Sequence, residues 1–201
     1  MGHREDLLVA ARRLLETKGY ARITTRDLVA ESGSNLASIG YHFGSKEGLL
    51  NEVIATVFNE WADQLATIAM ADPDAAPLDR ARATWSALLA GLPKRRALLL
   101  SYVEALAQAE RAPQLHKQFA EHYQGVRGRV AELVAQSLRG TIGADDPRAA
   151  AIASWMIAVC DGLALQWLLD PGSMPSAADL KAGHALMWQA RSEATRRSDT
   201  S

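Results

Sequence analysis

The sequence predicts an all-α protein of about nine helices, three short and six longer, and three observations carry that expectation. Apolar residues recur at three- and four-residue steps along nearly the whole chain, the spacing of one helix face. No run of alternating apolar and polar residues is long enough for a half-buried strand. Glycine, proline and capping residues punctuate the chain at intervals that suit helices.

Taken in order, Leu7, Leu8, Ala11, Leu14 and Leu15 line one face of a first helix. Gly19 ends it, with Lys18 placed to favour the negative end of the helix dipole. Thr24 or Thr25 caps a second helix that runs from Thr25 to about Glu31, with Asp27 in its first turn. The sequence Ser32-Gly33-Ser34 reads as a tight turn, and Asn35 as the N-cap of a third helix ending near His42. After Phe43-Gly44-Ser45 a long fourth helix carries Leu49, Leu50, Val53, Ile54, Val57, Phe58, Trp61, Leu65 and Ile68.

Beyond Asp72-Pro73-Asp74 and Pro77, helices are expected over 78–90, 95–109, 112–139, 147–169 and 176–196. Breaks are expected at Gly91-Leu92-Pro93, near Arg111-Ala112-Pro113, from Gly140 to Pro147 and at Asp170-Pro171-Gly172, and the polar tail from Arg197 to Ser201 is expected to fray.

Composition narrows the function classes. The 201 residues are 48% apolar, enough for a sizeable core. The single cysteine, Cys160, excludes an internal disulfide framework and a cysteine zinc cluster, and suits a reducing cytoplasm. The opening Met1-Gly2-His3-Arg4-Glu5-Asp6 turns charged at once and is not expected to act as a secretory signal. Residues 149–169 are apolar enough to resemble a membrane span, but Asp161 within them is costly in a bilayer, and a helix buried on most sides is expected instead. Net charge is −1, and residues 1–50 hold seven Lys/Arg against six Asp/Glu. Any claim of nucleic-acid binding must therefore rest on pattern and geometry rather than on a basic footprint.

That pattern lies in residues 4–50. Two short helices joined by a glycine-containing turn form a helix-turn-helix layout, with Leu28, Val29 and Ile39 as its small core. Leu36, Ala37, Ser38, Tyr41 and His42 then face outward or lie at the edge. An outward Leu-Ala-Ser surface is odd for a solvated helix, where Lys and Glu are usual, and suits a helix whose first turn enters a major groove. A purely structural three-helix scaffold is the competing reading.

Residues 33–49, Gly-Ser-Asn-Leu-Ala-Ser-Ile-Gly-Tyr-His-Phe-Gly-Ser-Lys-Glu-Gly-Leu, resemble the recognition-helix signature of TetR-family repressors. Upstream, Gly19-Tyr20, the run Ile23-Thr24-Thr25-Arg26-Asp27-Leu28 and the apolar first helix support the resemblance. Gly40 departs from it, since many members carry an aromatic there. The resemblance implies an N-terminal three-helix helix-turn-helix DNA-binding domain (1–50) followed by a helical effector-binding and dimerisation domain (51–201). It implies that Tyr41 and His42 reach the sugar-phosphate backbone. Thr25 and Asn35, at helix starts, can offer donors to phosphate; Lys46 and Arg26 supply positive charge; Leu36, Ala37 and Ser38 face base edges. Phe43 and Tyr20 are read as core.

In the C-terminal two-thirds, aromatic and soft apolar residues point either to ordinary core or to the family's small-molecule pocket. The candidate lining is Phe58, Trp61, Leu65, Trp85, Tyr102, Phe119, His122, Tyr123, Met156 and Asp161, with a largely apolar effector. Asp161 stands out as a carboxylate in an apolar helix. The resemblance also implies a homodimer through the last two helices, whose small residues allow close approach. The implied function is a transcriptional regulator that acts as a ligand-released repressor on a palindromic operator, with a helical protein-interaction module as the alternative. Catalysis is not expected: Cys160 and Asp161 are adjacent and diverge by about 100° on a helix, His116 and His122 are six apart, and no cofactor or metal motif is present.

Overall fold

The computed structural model describes residues 3–72, 74–138 and 141–198, with side chains in the last helix described as far as Met187. The expected positions Met1, Gly2, Pro73, Arg139, Gly140 and 199–201 lie outside the described residues. The described residues are all-helical, with no strand: α1 (His3–Lys18), α2 (Thr25–Ser32), α3 (Leu36–Phe43), α4 (Lys46–Ala69), α5 (Pro77–Ala109), α6 (Pro113–Ser137), α7 (Pro147–Leu169) and α8 (Ala177–Ser198). Two 3₁₀ turns, Tyr20–Arg22 and Pro171–Ser173, complete them.

Among the described residues there are thus eight α-helices rather than nine. The expected break at Gly91-Leu92-Pro93 is absent, because α5 continues through Pro93. Proline removes one backbone donor, leaving the Leu89 carbonyl without its usual partner. Leu88 and Leu92 before it, and Leu98 and Leu99 after it, are buried while Pro93 itself is exposed. Burial of four leucines outweighs one lost backbone bond. At the C-terminus, α8 holds Arg197 and Ser198 in helix, so the expected fraying does not begin at 197.

The chain divides into two compact units, residues 1–63 with 93–129, and residues 64–92 with 130–201. In the first, Leu7, Leu15, Leu28, Ile39, Leu49, Leu50, Ile54, Leu98 and Phe119 belong to one buried cluster, so α1 to α4 share a core with the adjoining parts of α5 and α6. Polar bonds add to that packing. The Ser101 hydroxyl donates to the Leu15 carbonyl at 3.2 Å, and Glu104 accepts the Ala21 backbone N–H at 2.9 Å. Those two bonds pin α1 and the turn after it to α5.

In the second unit, Ala131, Val134, Ile142, Ala149 and Ala153 form a smaller cluster that Met156 packs against. Trp85, Leu88 and Leu92 of α5 and Leu163, Ala164 and Trp167 of α7 are also buried. Lys181 of α8 is ion-paired with Asp79 of α5. The expectation that α7 is buried on most sides fails. Only 22% of its most apolar window is buried, and Ile152, Trp155, Leu165 and Leu169 are exposed. Its apolar residues fall on several sides, and the described neighbours in its unit bury Ala149, Ala153, Leu163, Ala164 and Trp167. By length and composition it is the one helix among the described residues that could cross a membrane.

Candidate nucleic-acid interface

The helix-turn-helix is set by three caps. Thr24 rather than Thr25 is the N-cap of α2, and it forms a reciprocal pair with Asp27. The Thr24 hydroxyl accepts the Asp27 N–H at 3.2 Å, and Asp27 accepts the Thr24 N–H at 2.9 Å. Lys18 adds an ion pair to Asp27 at 2.6 Å. Lys18 and the Thr24 donors hold the Asp27 carboxyl down to about 2. Gly33 ends α2 at φ 66°, a left-handed position that favours glycine, and its N–H returns to the Val29 carbonyl. Asn35 then caps α3, its Oδ1 accepting the Ser38 N–H at 2.9 Å and the Ser38 hydroxyl at 3.1 Å.

These caps aim α3 as the sequence suggested. Leu28 and Ile39 are buried between α2 and α3, with Val29 packed beside them. On the opposite surface Leu36 is 64% exposed and Tyr41 85%, with Asn35, Ala37, Gly40 and His42 also exposed and Ser38 half-buried. A leucine left that open in a chain with ample core is a cost of about 1 kcal/mol or more in unburied apolar area. Tyr41 and His42 meet edge to face, with ring centroids 4.8 Å apart. A Cβ on Gly40 would meet nothing, so the departure at that position is not forced by packing within the chain.

The cations are placed less freely than their number suggests. Arg4, Arg12, Arg13, Lys18 and Lys46 are all ion-paired, with Glu52, Glu16 and Glu60, Glu31, Asp27 and Glu47 respectively. Lys46 also donates to the Ile23 carbonyl at 2.9 Å, tying the start of α4 to the strand-like residue before α2. Arg26 is exposed at the start of α2 and makes no ion pair among the described residues; Thr25 beside it is half-buried.

Asn51 and Glu104, which sequence reasoning did not single out, complete the scaffold together with Tyr20, read from the sequence as core, and Gly48. The Tyr20 hydroxyl donates to Asn51 Oδ1 at 3.0 Å inside the core, and burial with the nearby Glu47 charge pushes the phenol up to about 12. A Cβ on Gly48 would collide with the Phe43 carbonyl oxygen. Glu104 reaches the Gly19 turn across 83 residues of chain, a separation that no local pattern signals.

Of the predicted pocket residues, six gather in the first unit. Tyr102 is central to that group: its ring centroid lies 4.8 Å from that of Phe58 and 5.8 Å from that of Phe119, and its hydroxyl bonds that of Tyr123 at 2.6 Å. Trp61 lies 6.2 Å from Phe58 beneath the Arg95 guanidinium, and His122 is edge-on to Tyr123. Burial, then the Arg129 charge, holds the His122 imidazole below its usual range, toward the neutral form. Leu65, Trp85, Met156 and Asp161 belong to the second unit. There Trp85 is buried near His184, and Met156 packs on the alanine-rich cluster. Asp161 corrects an expectation, since it is exposed on α7 rather than a buried carboxylate. The helix turns it away from the face that carries Leu163, Ala164 and Trp167. Beside it, burial pushes the Cys160 thiol up to about 12, which leaves it un-ionised and un-nucleophilic at neutral pH.

A capped helix-turn-helix with an exposed second helix defines a DNA-binding module. Residues 7–53 match the family described as bacterial regulatory proteins of the TetR family, and residues 77–186 match the C-terminal part of BetI-type transcriptional repressors. The chain therefore belongs to the TetR family of transcriptional regulators, non-enzymatic DNA-binding proteins. No curated protein sequence matches it. Among solved structures, a putative TetR-family regulator from Rhodococcus sp. shares the fold at 20% identity and a TM-score of 0.67, over 93% of this chain and 98% of that one. The multidrug binding protein EbrR is similar at 28% identity and a TM-score of 0.64, over 90% and 94% of the two chains, in a complex with imidazole. EbrR in a complex with proflavin aligns at 26% identity and a TM-score of 0.62, over 90% and 96%.

Proposed function

We propose that this regulator is a repressor that binds a palindromic operator as a homodimer and leaves it when a small, largely apolar molecule binds. The observation that carries the reading is the open surface of α3, Leu36, Ala37, Tyr41 and His42, laid over the buried Leu28 and Ile39. In this reading Leu36, Ala37 and Ser38 meet base edges, while Thr25, Arg26, Asn35, Tyr41, His42 and Lys46 position the backbone. Residues 1–50 act as the DNA-binding domain and residues 51–201 as the effector and dimerisation domain.

The homodimer is supported by the apolar surface left open on the last two helices, Ile152, Trp155, Leu165, Leu169, Leu186 and Met187. A second copy covers such a face in an isologous contact. One recognition helix of near-neutral charge binds weakly alone, and a two-fold pair engages two half-sites at once. The effector class is supported by the Phe58, Trp61, Tyr102, Phe119, His122 and Tyr123 cluster and by similarity to EbrR, whose complexes hold ring compounds. Effector binding lowers operator affinity by its preference for the released state. The protein then works in the cytoplasm, beside its DNA.

Selection from a random duplex pool, followed by a mobility shift on the enriched sequence, tests this. A palindrome whose half-sites lie about one helical turn apart, bound by two chains, is the expected result. An interaction module would enrich no duplex.

A further inference from the structure

Resting on that operator-binding reading, we infer that Leu36 and Ala37 read thymine 5-methyl groups in the major groove, so that each half-site is recognised chiefly through methyl contact rather than through hydrogen bonds to guanine or adenine. The argument is an elimination among the side chains that α3 presents. Its eight residues include no Arg, Lys, Asn, Gln, Asp or Glu, the side chains that pair with base edges by hydrogen bonds. Asn35 precedes it, but reading adenine takes both ends of the amide. The Asn35 Oδ1 is already engaged twice, by the Ser38 N–H and the Ser38 hydroxyl. Using it on a base would cost the cap of α3. The same bond occupies the proton of the Ser38 hydroxyl. Tyr41 and His42 lie at the far end of the helix, where residues reach the sugar-phosphate backbone rather than the base edges met by the first turn.

What the first turn does offer is methyl groups. Leu36 is the first helical residue and Ala37 the second, both exposed, and Leu36 is open to 64% in the free chain. The thymine methyl is the one apolar group on the major-groove edge of a base pair, so it is the natural burial partner for both. Most nearby cations are engaged: Lys18, Arg13 and Lys46 are tied to Asp27, Glu31 and Glu47, and the Arg22 Nε donates to the Lys18 carbonyl. Arg26, exposed at the start of α2 and without an ion pair among the described residues, is the competing guanine reader that the experiment must separate.

The experiment begins with the duplex enriched by selection. Each thymine in a half-site is replaced in turn by deoxyuridine, which lacks only the 5-methyl group. At one or more positions the loss should be about fourfold per half-site, the worth of one buried methyl, and about 15-fold when both half-sites are changed. Leu36→Ala, an exposed change that leaves the core untouched, should weaken binding to the thymine duplex and abolish the further loss at its own position. Replacing guanines by 7-deazaguanine should change affinity by less than about twofold. Insensitivity to every uridine, or a Leu36→Ala protein that keeps the full uridine loss at every position, overturns the inference while leaving operator binding intact. A tenfold loss with 7-deazaguanine also overturns it and assigns readout to Arg26. If no duplex is enriched at all, the operator reading fails and this inference falls with it.

Discussion

Gly48 sits so close beneath the Phe43 carbonyl oxygen that no side chain fits between them. The contact lies where α3 turns into α4, and Ser45 locks the same junction by accepting the Gly48 N–H at 2.9 Å. In an ordinary helix, alanine in place of glycine gains about 1 kcal/mol from propensity. Here the neighbour is backbone and cannot swing away, so the clash decides the sign. Gly48→Ala should destabilise by about 1–3 kcal/mol, the usual cost of overpacking, and should weaken operator binding by displacing α3. Thermal melts and mobility shifts on the same preparation check it; a variant as stable as the parent and equally tight on DNA would show that the junction yields.

Burial of the Tyr20 phenol, with the Glu47 charge nearby, makes stability fall in alkali. The folded phenol ionises at about 12, above its value in the unfolded chain near 10. The unfolded chain therefore releases its proton first as pH rises. Stability is complete below pH 10 and declines from there to pH 12, by about 2–3 kcal/mol in all. Tyr20→Phe should flatten that limb. At neutral pH it should cost about 1–3 kcal/mol, because the buried Asn51 Oδ1 loses its donor. Urea titrations at pH 8, 10 and 11 separate the two effects.

The Thr24–Asp27 capping pair gives a second, acidic limb. Asp27 is held at about 2 by the Lys18 ammonium and by the Thr24 N–H and hydroxyl. Its contribution is present above the unfolded value near 4 and is lost as pH falls toward 2. Asp27→Asn should remove this limb. Thr24→Ala should cost about 1 kcal/mol as a lost cap and loosen α2 ahead of α3. Hydrogen exchange at the first-turn amides of α2 reads this locally, and unchanged protection would count against the cap.

Lys46 and Arg26 differ in a way that salt can report. Arg26→Ala should lower the slope of log affinity against log salt by about one per protomer, with little change in stability, because Arg26 is exposed and makes no ion pair among the described residues. Lys46→Ala should lower the slope by a similar amount and also destabilise the fold, since it removes the bond to the Ile23 carbonyl. Slopes that match the parent's in both variants would rule out a phosphate role for either residue.

Much of this protein is written locally. The caps Asn35 and Gly33, the buried pair Leu28 and Ile39, and the outward Leu36, Ala37, Tyr41 and His42 all follow from residue type and helical spacing within 20 positions, because caps and faces are set by near neighbours. Pattern reading failed where distant packing outweighs a local rule. Pro93 should end a helix by local chemistry, yet four buried leucines carry α5 past it. Asp161 looked like a buried charge because its sequence neighbours are apolar, but which side of α7 is covered depends on helices far along the chain. The bonds from Glu104 to Ala21 and from Tyr20 to Asn51, and the collision that reserves position 48 for glycine, exist only once the chain has folded. Periodicity encodes which face of an element is apolar. It does not encode what that face meets, and tertiary structure decides that through contacts between residues tens of positions apart.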